Sequence, residues 1–372
     1  MALSLVVAAC GGSDGTSVGV EGASTTVETG SATGTDAADA PATTVPAGLG
    51  DLPGRIVMEA IGCGGGSDPS GLGAALEGVE DVGEALDAIG SIGGFGGGES
   101  EVCLMDPDGS GLVLLSDPGA MAQAPGFTYD GTMLYFFTED AAFVADVDGA
   151  NLREWDRGNT TSLPWNASPD GRWYTQQRRE PGFRLYEAGD DYATEPGRRI
   201  IARYATCCSE QRWSPDSTSV LAYDTRSECH ALWRIDVMTL EEVPLTGPGS
   251  PSEDSGLCVL LDSARWSPDG SAILVSSYDV DEDSRIFLLD ADGSNPRLLL
   301  DDGDVAVDPV YGVEGWFAGP AAWSPDGRAV IVTVGTPLTE FYVAWVDGSR
   351  IERVGPPSLS TAAVIGIAWA PG

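Results

Sequence analysis

The stretch "AAWSPDGRAVIVTV", residues 321–334, contains the five-residue motif W-S-P-D-G at positions 323–327. Proline presets φ at the second position of a turn, and serine can accept a hydrogen bond from the nearby backbone. Glycine takes the left-handed conformation that closes a bulged hairpin. Because an alternating apolar run follows, the motif predicts a tight turn between two antiparallel strands.

The motif recurs along the chain, with clear copies at 213–217 and 266–270. A fourth copy, at 168–171, has its tryptophan, Trp165, two residues early, and 127–131 reads as a diverged fifth copy. Ser217 replaces the glycine in one copy, so we expect slight backbone strain at this residue.

Each turn is followed by an apolar strand, then by a second apolar strand that ends in an acidic D-x-D-G turn, and then by a short last strand. Four strands in each unit of roughly 40 to 57 residues are typical of a propeller blade. These motifs resemble the TolB-type bacterial propeller repeat over about residues 51–372. The resemblance implies the fold but says little about activity, because propellers host many functions.

The two ends of this region resemble two halves of one blade. Residues 369–372, "WAPG", are a shortened copy of the motif, and residues 52–59, "LPGRIVME", read as the strand that follows such a turn. We therefore predict an all-β, six-bladed β-propeller with four-stranded blades, closed by the C-terminal strand joining the first blade. A monomer is expected.

The chain carries 57 Asp and Glu against 19 Lys and Arg, all of which are arginine, for a formal net charge of −38. This charge disfavours binding to nucleic acid or to anionic lipid. An acidic surface of this kind favours solubility, divalent cations or a basic partner.

Residues 1–10 are interpreted as a signal and lipobox segment. The apolar run is too short to span a bilayer. The word V-A-A-C ending at Cys10 resembles a bacterial lipobox, although no basic residue precedes it. It predicts export, lipidation of Cys10, and anchoring to the outer face of the cytoplasmic membrane, with membrane contact only through the lipid. The alternative is an ordinary tail with a chance cysteine.

Residues 11–50 are rich in Gly, Ser, Thr and Ala and predict a disordered tether. A formal G-x-S-x-G match at 11–15 lacks the strand and helix that a nucleophile elbow needs.

The propeller itself carries an inserted loop at 62–100, whose leucines and valines are spaced by three and four residues. That spacing predicts an amphipathic helix, packed on its own propeller or on a partner, with a disordered loop as the alternative.

Six further cysteines fall in or beside loops at the opposite end of the blades from the repeated turns. An even number in an exported chain predicts disulfides. Cys63 and Cys103 would join the ends of the inserted loop. Cys207 and Cys208, being adjacent, should each pair with Cys229 or Cys258 rather than with each other. His230 lies beside Cys229, so a zinc site is the alternative, although the spacing matches no standard finger.

Two other groups are candidate binding residues. Asp279, Asp281 and Asp283 alternate as at the start of a calcium loop, with a plain acidic loop as the alternative. Calcium is therefore the cofactor that these three residues could bind. Arg212 and Arg265 precede the motif tryptophan in neighbouring blades, where two guanidinium groups would suit a small anion or an acidic side chain. Nearby Glu210 and Asp262 could instead neutralise them.

These patterns leave two functions open. The first is a non-enzymatic binding or scaffold module for a protein or a small ligand. The second is a hydrolase or lyase with an acidic, calcium-dependent channel site. A nucleophilic triad is hard to assemble, because His230 is the sole histidine.

Overall fold

The structure is a computed structural model. It describes residues 49–61, 100–117, 121–128, 130–138, 141–155, 167–177, 183–188, 198–200, 212–224, 229–259, 263–278, 284–301, 304–305, 318–334, 340–354 and 364–370. The lipobox, residues 11–48 of the tether, residues 62–99 of the inserted loop and the acidic loop at 279–283 lie outside the described residues.

The regular secondary structure of the described part consists of β-strands, apart from short 3-10 helices at Leu49–Asp51 and Glu253–Ser255. The strands in chain order are β1 (Ile56–Ile61), β2 (Ser100–Met105), β3 (Val113–Leu114), β4 (Gln123–Phe127), β5 (Met133–Phe137), β6 (Ala142–Asp146), β7 (Arg153–Glu154), β8 (Trp173–Gln177), β9 (Phe183–Glu187), β10 (Arg198–Ile200), β11 (Arg212–Trp213), β12 (Ser219–Asp224), β13 (Ala231–Asp236), β14 (Glu242–Pro244), β15 (Cys258–Val259), β16 (Arg265–Trp266), β17 (Ala272–Tyr278), β18 (Ser284–Asp290), β19 (Arg297–Leu300), β20 (Ala318–Trp323), β21 (Ala329–Val334), β22 (Glu340–Trp345), β23 (Ile351–Val354) and β24 (Val364–Trp369).

These strands form antiparallel sheets that follow one another along the chain. Sheet 1 has the order β24-β1-β2-β3, sheet 2 β4 to β7, sheet 3 β8 to β10, sheet 4 β11 to β14, sheet 5 β15 and β16 beside β17-β18-β19, and sheet 6 β20 to β23. The all-β propeller arrangement predicted from the repeats is present. Five sheets have at least four described strands, whereas the sequence predicts six four-stranded blades. Sheet 3 has three strands among the described residues.

Sheet 1 combines strands from both ends of the propeller region. In the pairing of β24 with β1, Trp369 stands opposite Ile56 and Gly366 opposite Glu59. The indole Nε1 of Trp369 donates a hydrogen bond of 2.8 Å to the Pro53 carbonyl, and the Ala370 amide donates one of 2.7 Å to the Arg55 carbonyl.

The apolar core lies between consecutive sheets. Ile273 of β17 packs with residues of sheet 4, such as Leu221, whereas its neighbour Leu274 packs with residues of sheet 6, such as Val330. Successive side chains of a strand point to opposite faces of its sheet. Both faces are buried here, which explains why strands such as β1 and β21 are apolar nearly throughout.

Candidate functional site

The repeated motif forms the same hydrogen-bonded turn in each described copy. In the copy at 266–270, Ser267 Oγ donates to Asp269 Oδ1 at 2.6 Å and accepts from the Ala272 amide at 2.9 Å. Asp269 Oδ1 also accepts from the Ser271 amide, and Gly270 has φ of 72°. The equivalent hydroxyl-to-carboxylate bonds are present at Thr128, Ser168, Ser214 and Ser324. These turns lie at one end of the sheets, which we call the turn face; the other end is the loop face.

The carboxylates of these turns are held in their charged form. The hydroxyl of Ser267 and the amide of Ser271 keep the pKa of Asp269 below its ordinary value, and the hydroxyl of Ser214 does the same for Asp216. A carboxylate that already accepts two or three hydrogen bonds favours ionisation. These residues therefore act as turn-forming groups, and a role in proton transfer near neutral pH is disfavoured.

The turns also contact one another from sheet to sheet. A Cβ built on Gly270 would lie 3.6 Å from Pro215 Cδ, and one on Gly327 would lie 3.7 Å from Pro268 Cδ. Gly54 of sheet 1 faces Pro325 of sheet 6 in the same way. Where one turn has the proline and the next has the glycine, the glycine packs on the proline of the turn before it, as Gly270 does on Pro215 and Gly327 on Pro268.

Ser217 shows what happens where the glycine is missing. Its φ is 63°, so the predicted left-handed serine is present. Its Oγ accepts a hydrogen bond of 3.0 Å from the amide of Asp170 in the preceding turn. Ser217 thus adopts a strained backbone conformation, and its hydroxyl gains a hydrogen bond that joins sheets 3 and 4.

The two arginine positions come together on neighbouring innermost strands. Arg212 stands opposite Leu221 and Arg265 opposite Leu274, in the same register beside their motif tryptophans. Strands β11 and β16 lie next to each other. Arg265 is half-buried and its Nη1 donates to the Ala264 carbonyl at 3.1 Å. The side chain of Arg212, and residues Glu210 and Asp262, lie outside the described part.

The cysteines pair differently from the prediction. Cys229 forms a disulfide with Cys258, with a Cα–Cα distance of 4.7 Å, so neither is available to Cys207 or Cys208. The reason is tertiary: β15 pairs with the end of β17, which carries Cys258 to the segment entering β13. This disulfide joins sheets 4 and 5 at the loop face, beside a bond of 3.0 Å from the Val259 amide to the His230 carbonyl.

Of the remaining predicted cysteines, Cys103 is buried in β2 and disulfide-bonded. Cys63, Cys207 and Cys208 lie outside the described residues, so the pairing of Cys63 with Cys103 stays a prediction. Burial lowers the pKa of His230. No group of three or more potential metal ligands occurs within the described ranges. Asp279, Asp281 and Asp283 are not among them, and the calcium hypothesis stays a prediction.

Glu59 is a buried acid that the motif analysis did not select. Its side chain lies in β1, and the residue is 7% exposed. Its Oε2 accepts a hydrogen bond of 2.8 Å from the Ala124 amide in sheet 2. Burial raises its pKa to about 7, against a smaller lowering by the Ala124 amide. In the sequence, the feature that could have identified Glu59 is its position as the single carboxylate within the apolar run "IVMEAI".

Comparison with known proteins places the fold. No protein-family model and no curated protein sequence matches the chain. It is similar to the crystal structure of TolB from Acinetobacter baumannii, with 17% identity over 89% of this chain and 69% of that chain, and a TM-score of 0.57. A putative TolB from Agrobacterium tumefaciens matches with 17% identity over 70% of this chain and 94% of that chain, at a TM-score of 0.45.

An oligogalacturonate lyase in complex with manganese matches with 18% identity over 69% of this chain and 72% of that chain, at a TM-score of 0.39. The sheets, together with the similarity to the TolB structure from Acinetobacter baumannii, define the fold class. It is a β-propeller with TolB-like structural neighbours. No helix in the described part is both long and apolar enough to cross a membrane.

Proposed function

We propose that this protein is an exported, lipid-anchored propeller that binds a protein or a small ligand without catalysing a reaction. The observation that carries the proposal is the matched placement of Arg212 and Arg265 on adjacent innermost strands. Paired guanidinium groups suit a carboxylate or phosphate, because each offers a planar fork of donors. The bound group is therefore a small anion or an acidic side chain of a partner.

Among the innermost strands that the structure describes, these arginines occur in sheets 4 and 5. The residues equivalent to the two arginines are Ala322 in sheet 6 and Ala368 in sheet 1. The same two sheets are joined at the loop face by the Cys229–Cys258 disulfide. A cross-link between the sheets that carry both arginines supports a fixed spacing of the two groups, which lowers the ordering cost of binding.

The proposal includes a ring of six blades that is closed by β24. An isolated bridge between Ala167 and Tyr174 supports a further inner strand in sheet 3, because it has the register of the motif tryptophans. Closure is supported by the pairing of β24 with β1 and by the Gly54–Pro325 contact. That contact continues, between sheets 6 and 1, the packing of turn on turn seen elsewhere.

The anchor is proposed at Cys10, with residues 11–50 as the tether to the membrane. Expression in a bacterial host from a start codon placed upstream, followed by mass spectrometry, should show a diacylglyceryl group on Cys10. A secreted, unmodified product would exclude the anchor. The net charge of −38 argues for no role of nucleic acid in the function.

Anion binding is tested with inorganic phosphate and a glutamate-rich peptide as probes in calorimetric titrations. Arg212→Ala and Arg265→Ala should each weaken binding by about tenfold or more, because a charged hydrogen-bonding partner is lost. Arg297→Ala, an exposed arginine on the outer strand β19, is the matched control and should bind as the parent does.

Equal binding by the two inner variants and the parent would exclude the site, as would unfolding of both variants. The same protein is titrated with calcium and compared with an Asp279→Asn, Asp281→Asn, Asp283→Asn variant. Calcium-dependent turnover of a glycoside or ester substrate, lost in that variant, would favour the hydrolase or lyase alternative instead.

A further inference from the structure

We propose that the contact between sheets 1 and 2 is a proton-operated clasp, in which buried Glu59 holds the innermost strand of sheet 2 and the contact opens when the carboxyl ionises. The Ala124 amide by itself favours the carboxylate, so the contact opens because the loss of hydration in the buried site outweighs this hydrogen bond. The clasp is a single hydrogen bond from the Ala124 amide to Glu59 Oε2, 2.8 Å long. It lies near the loop-face end of β1, a few residues before the inserted loop at 62–99.

The strand that Glu59 holds is irregular at the point of contact. Between Gln123 and Gly126 the register of β4 with β5 shifts, which marks a β-bulge. Ala124 has φ of 50°, a left-handed conformation that is unfavourable for a residue with a Cβ. A bulge leaves a backbone amide outside the ladder. The carboxyl of Glu59 satisfies that amide, so the strained conformation and the hydrogen bond depend on each other.

The surroundings leave room for a carboxyl but provide it little solvation. Glu59 stands opposite Gly366 on β24, and a Cβ built on Gly366 would lie 3.7 Å from Glu59 Oε2. The Cδ of Pro125 lies 3.8 Å from that position. Burial in such surroundings disfavours the charged form of a carboxyl group.

The charged groups packed around Glu59 in the described residues are few. Neither β24 nor β4 carries a titratable side chain. On β2 the titratable residue is Glu101, which is paired with Ala60, so its side chain lies on the opposite face of the sheet from Glu59. Arg55 lies just before β1 at the turn-face end, where it pairs with Asp106 at 2.9 Å.

Water needs little movement to reach the carboxyl. Gln123 and Ala124 are exposed, so the clasped strand forms a boundary between Glu59 and solvent. When Glu59 ionises, displacement of this strand would hydrate the carboxylate and relieve the left-handed conformation of Ala124. Opening is therefore expected to be local to the loop-face end of the junction.

Hydrogen exchange on the intact protein tests the clasp. With an ordinary pKa of 4.5 in the open state and about 7 in the closed state, the opening equilibrium at Ala124 should rise by roughly 40-fold from about pH 5 to about pH 7, then level off. Exchange must be corrected for its intrinsic pH dependence. Glu59→Gln keeps an acceptor that cannot ionise, so its profile should be flat.

The amide of Ala264 is the internal control, because it donates to the neutral hydroxyl of Tyr223 in the equivalent contact between sheets 4 and 5. Equal changes at Ala124 and Ala264 would show global loosening and overturn the proposal. The same profile in Glu59→Gln and the parent would also overturn it. If Glu59→Gln does not fold, the titration of the Glu59 carboxyl group in the parent protein can be followed by carbon-13 NMR instead. A titration midpoint near pH 4.5 would contradict the clasp.

Discussion

In the contact between sheets 1 and 2 and in the contact between sheets 4 and 5, a side chain of one sheet accepts a hydrogen bond from a backbone amide of the next. The two accepting side chains are chemically different. Glu59 and Tyr223 occupy the same register position, three residues beyond the residue that faces the motif tryptophan. Each accepts a hydrogen bond from an innermost backbone amide of the next sheet, Ala124 at 2.8 Å and Ala264 at 2.9 Å. The acceptor in the second contact is a phenol hydroxyl, whereas in the first it is a carboxyl group whose pKa burial raises.

The two contacts also differ in whether a covalent cross-link accompanies the hydrogen bond. Sheets 4 and 5 are cross-linked by Cys229–Cys258, and no such link between sheets 1 and 2 is seen in the described residues. In sheet 5 the same register position is Ser276, whose buried Oγ has no hydrogen-bond partner among the described residues. A propeller repeats its backbone faithfully, but the polar groups that join its sheets differ from one junction to the next.

Removal of the Cys229–Cys258 disulfide should lower the free energy of unfolding more than any other change to these two contacts. Replacing Cys229 and Cys258 together by serine frees a loop with a sequence separation of 29 residues, which costs about 3 to 4 kcal/mol in the chain-entropy model. Urea unfolding measures the loss, and hydrogen exchange should locate it at Ala264. If Ala124 loses protection to the same extent, the two junctions are not independent.

Ionisation of Glu59 should have a slightly smaller effect on global stability. Its pKa is raised on folding, so the folded state binds the proton more tightly and its contribution to stability is fully present below about pH 4.5. As the pH rises to about 7, up to about 3 kcal/mol is lost, and above that the curve is flat.

The measurement is the difference in unfolding free energy between Glu59→Gln and the parent across this pH range. The turn aspartates, whose pKa values are lowered, contribute in the opposite direction at lower pH and cancel in the difference. A difference that does not change between pH 4.5 and 7 would remove the contrast between Glu59 and Tyr223.

Tyr223→Phe should have the smallest effect. It leaves the Ala264 amide without its acceptor, at a cost of about 1 to 2 kcal/mol that does not vary between pH 5 and 8. Tyr342→Phe is a control, because the Tyr342 hydroxyl donates to Glu340 within its own strand. Equal losses in the two variants would mean that the contact between sheets 4 and 5 adds no specific stability.

Much of the fold could be predicted because its signals are local. A W-S-P-D-G turn specifies its own hydrogen bonds, and alternation along a strand specifies which residues are buried. The strained Ser217 and the diverged copy at Thr128 follow from the same local rules and are present in the structure. Repetition then indicates a propeller, because a blade buries both faces only against other blades.

The contacts between sheets required the tertiary structure. That Cys229 meets Cys258, and that Glu59 meets Ala124, depends on how segments 29 and 65 residues apart are placed in adjacent sheets. The sequence alone determined the turns, the strands and the class of fold, since these depend on neighbours along the chain. The tertiary structure decided which cysteines bond and which acid is buried, because register and sheet packing bring together groups that no local pattern relates.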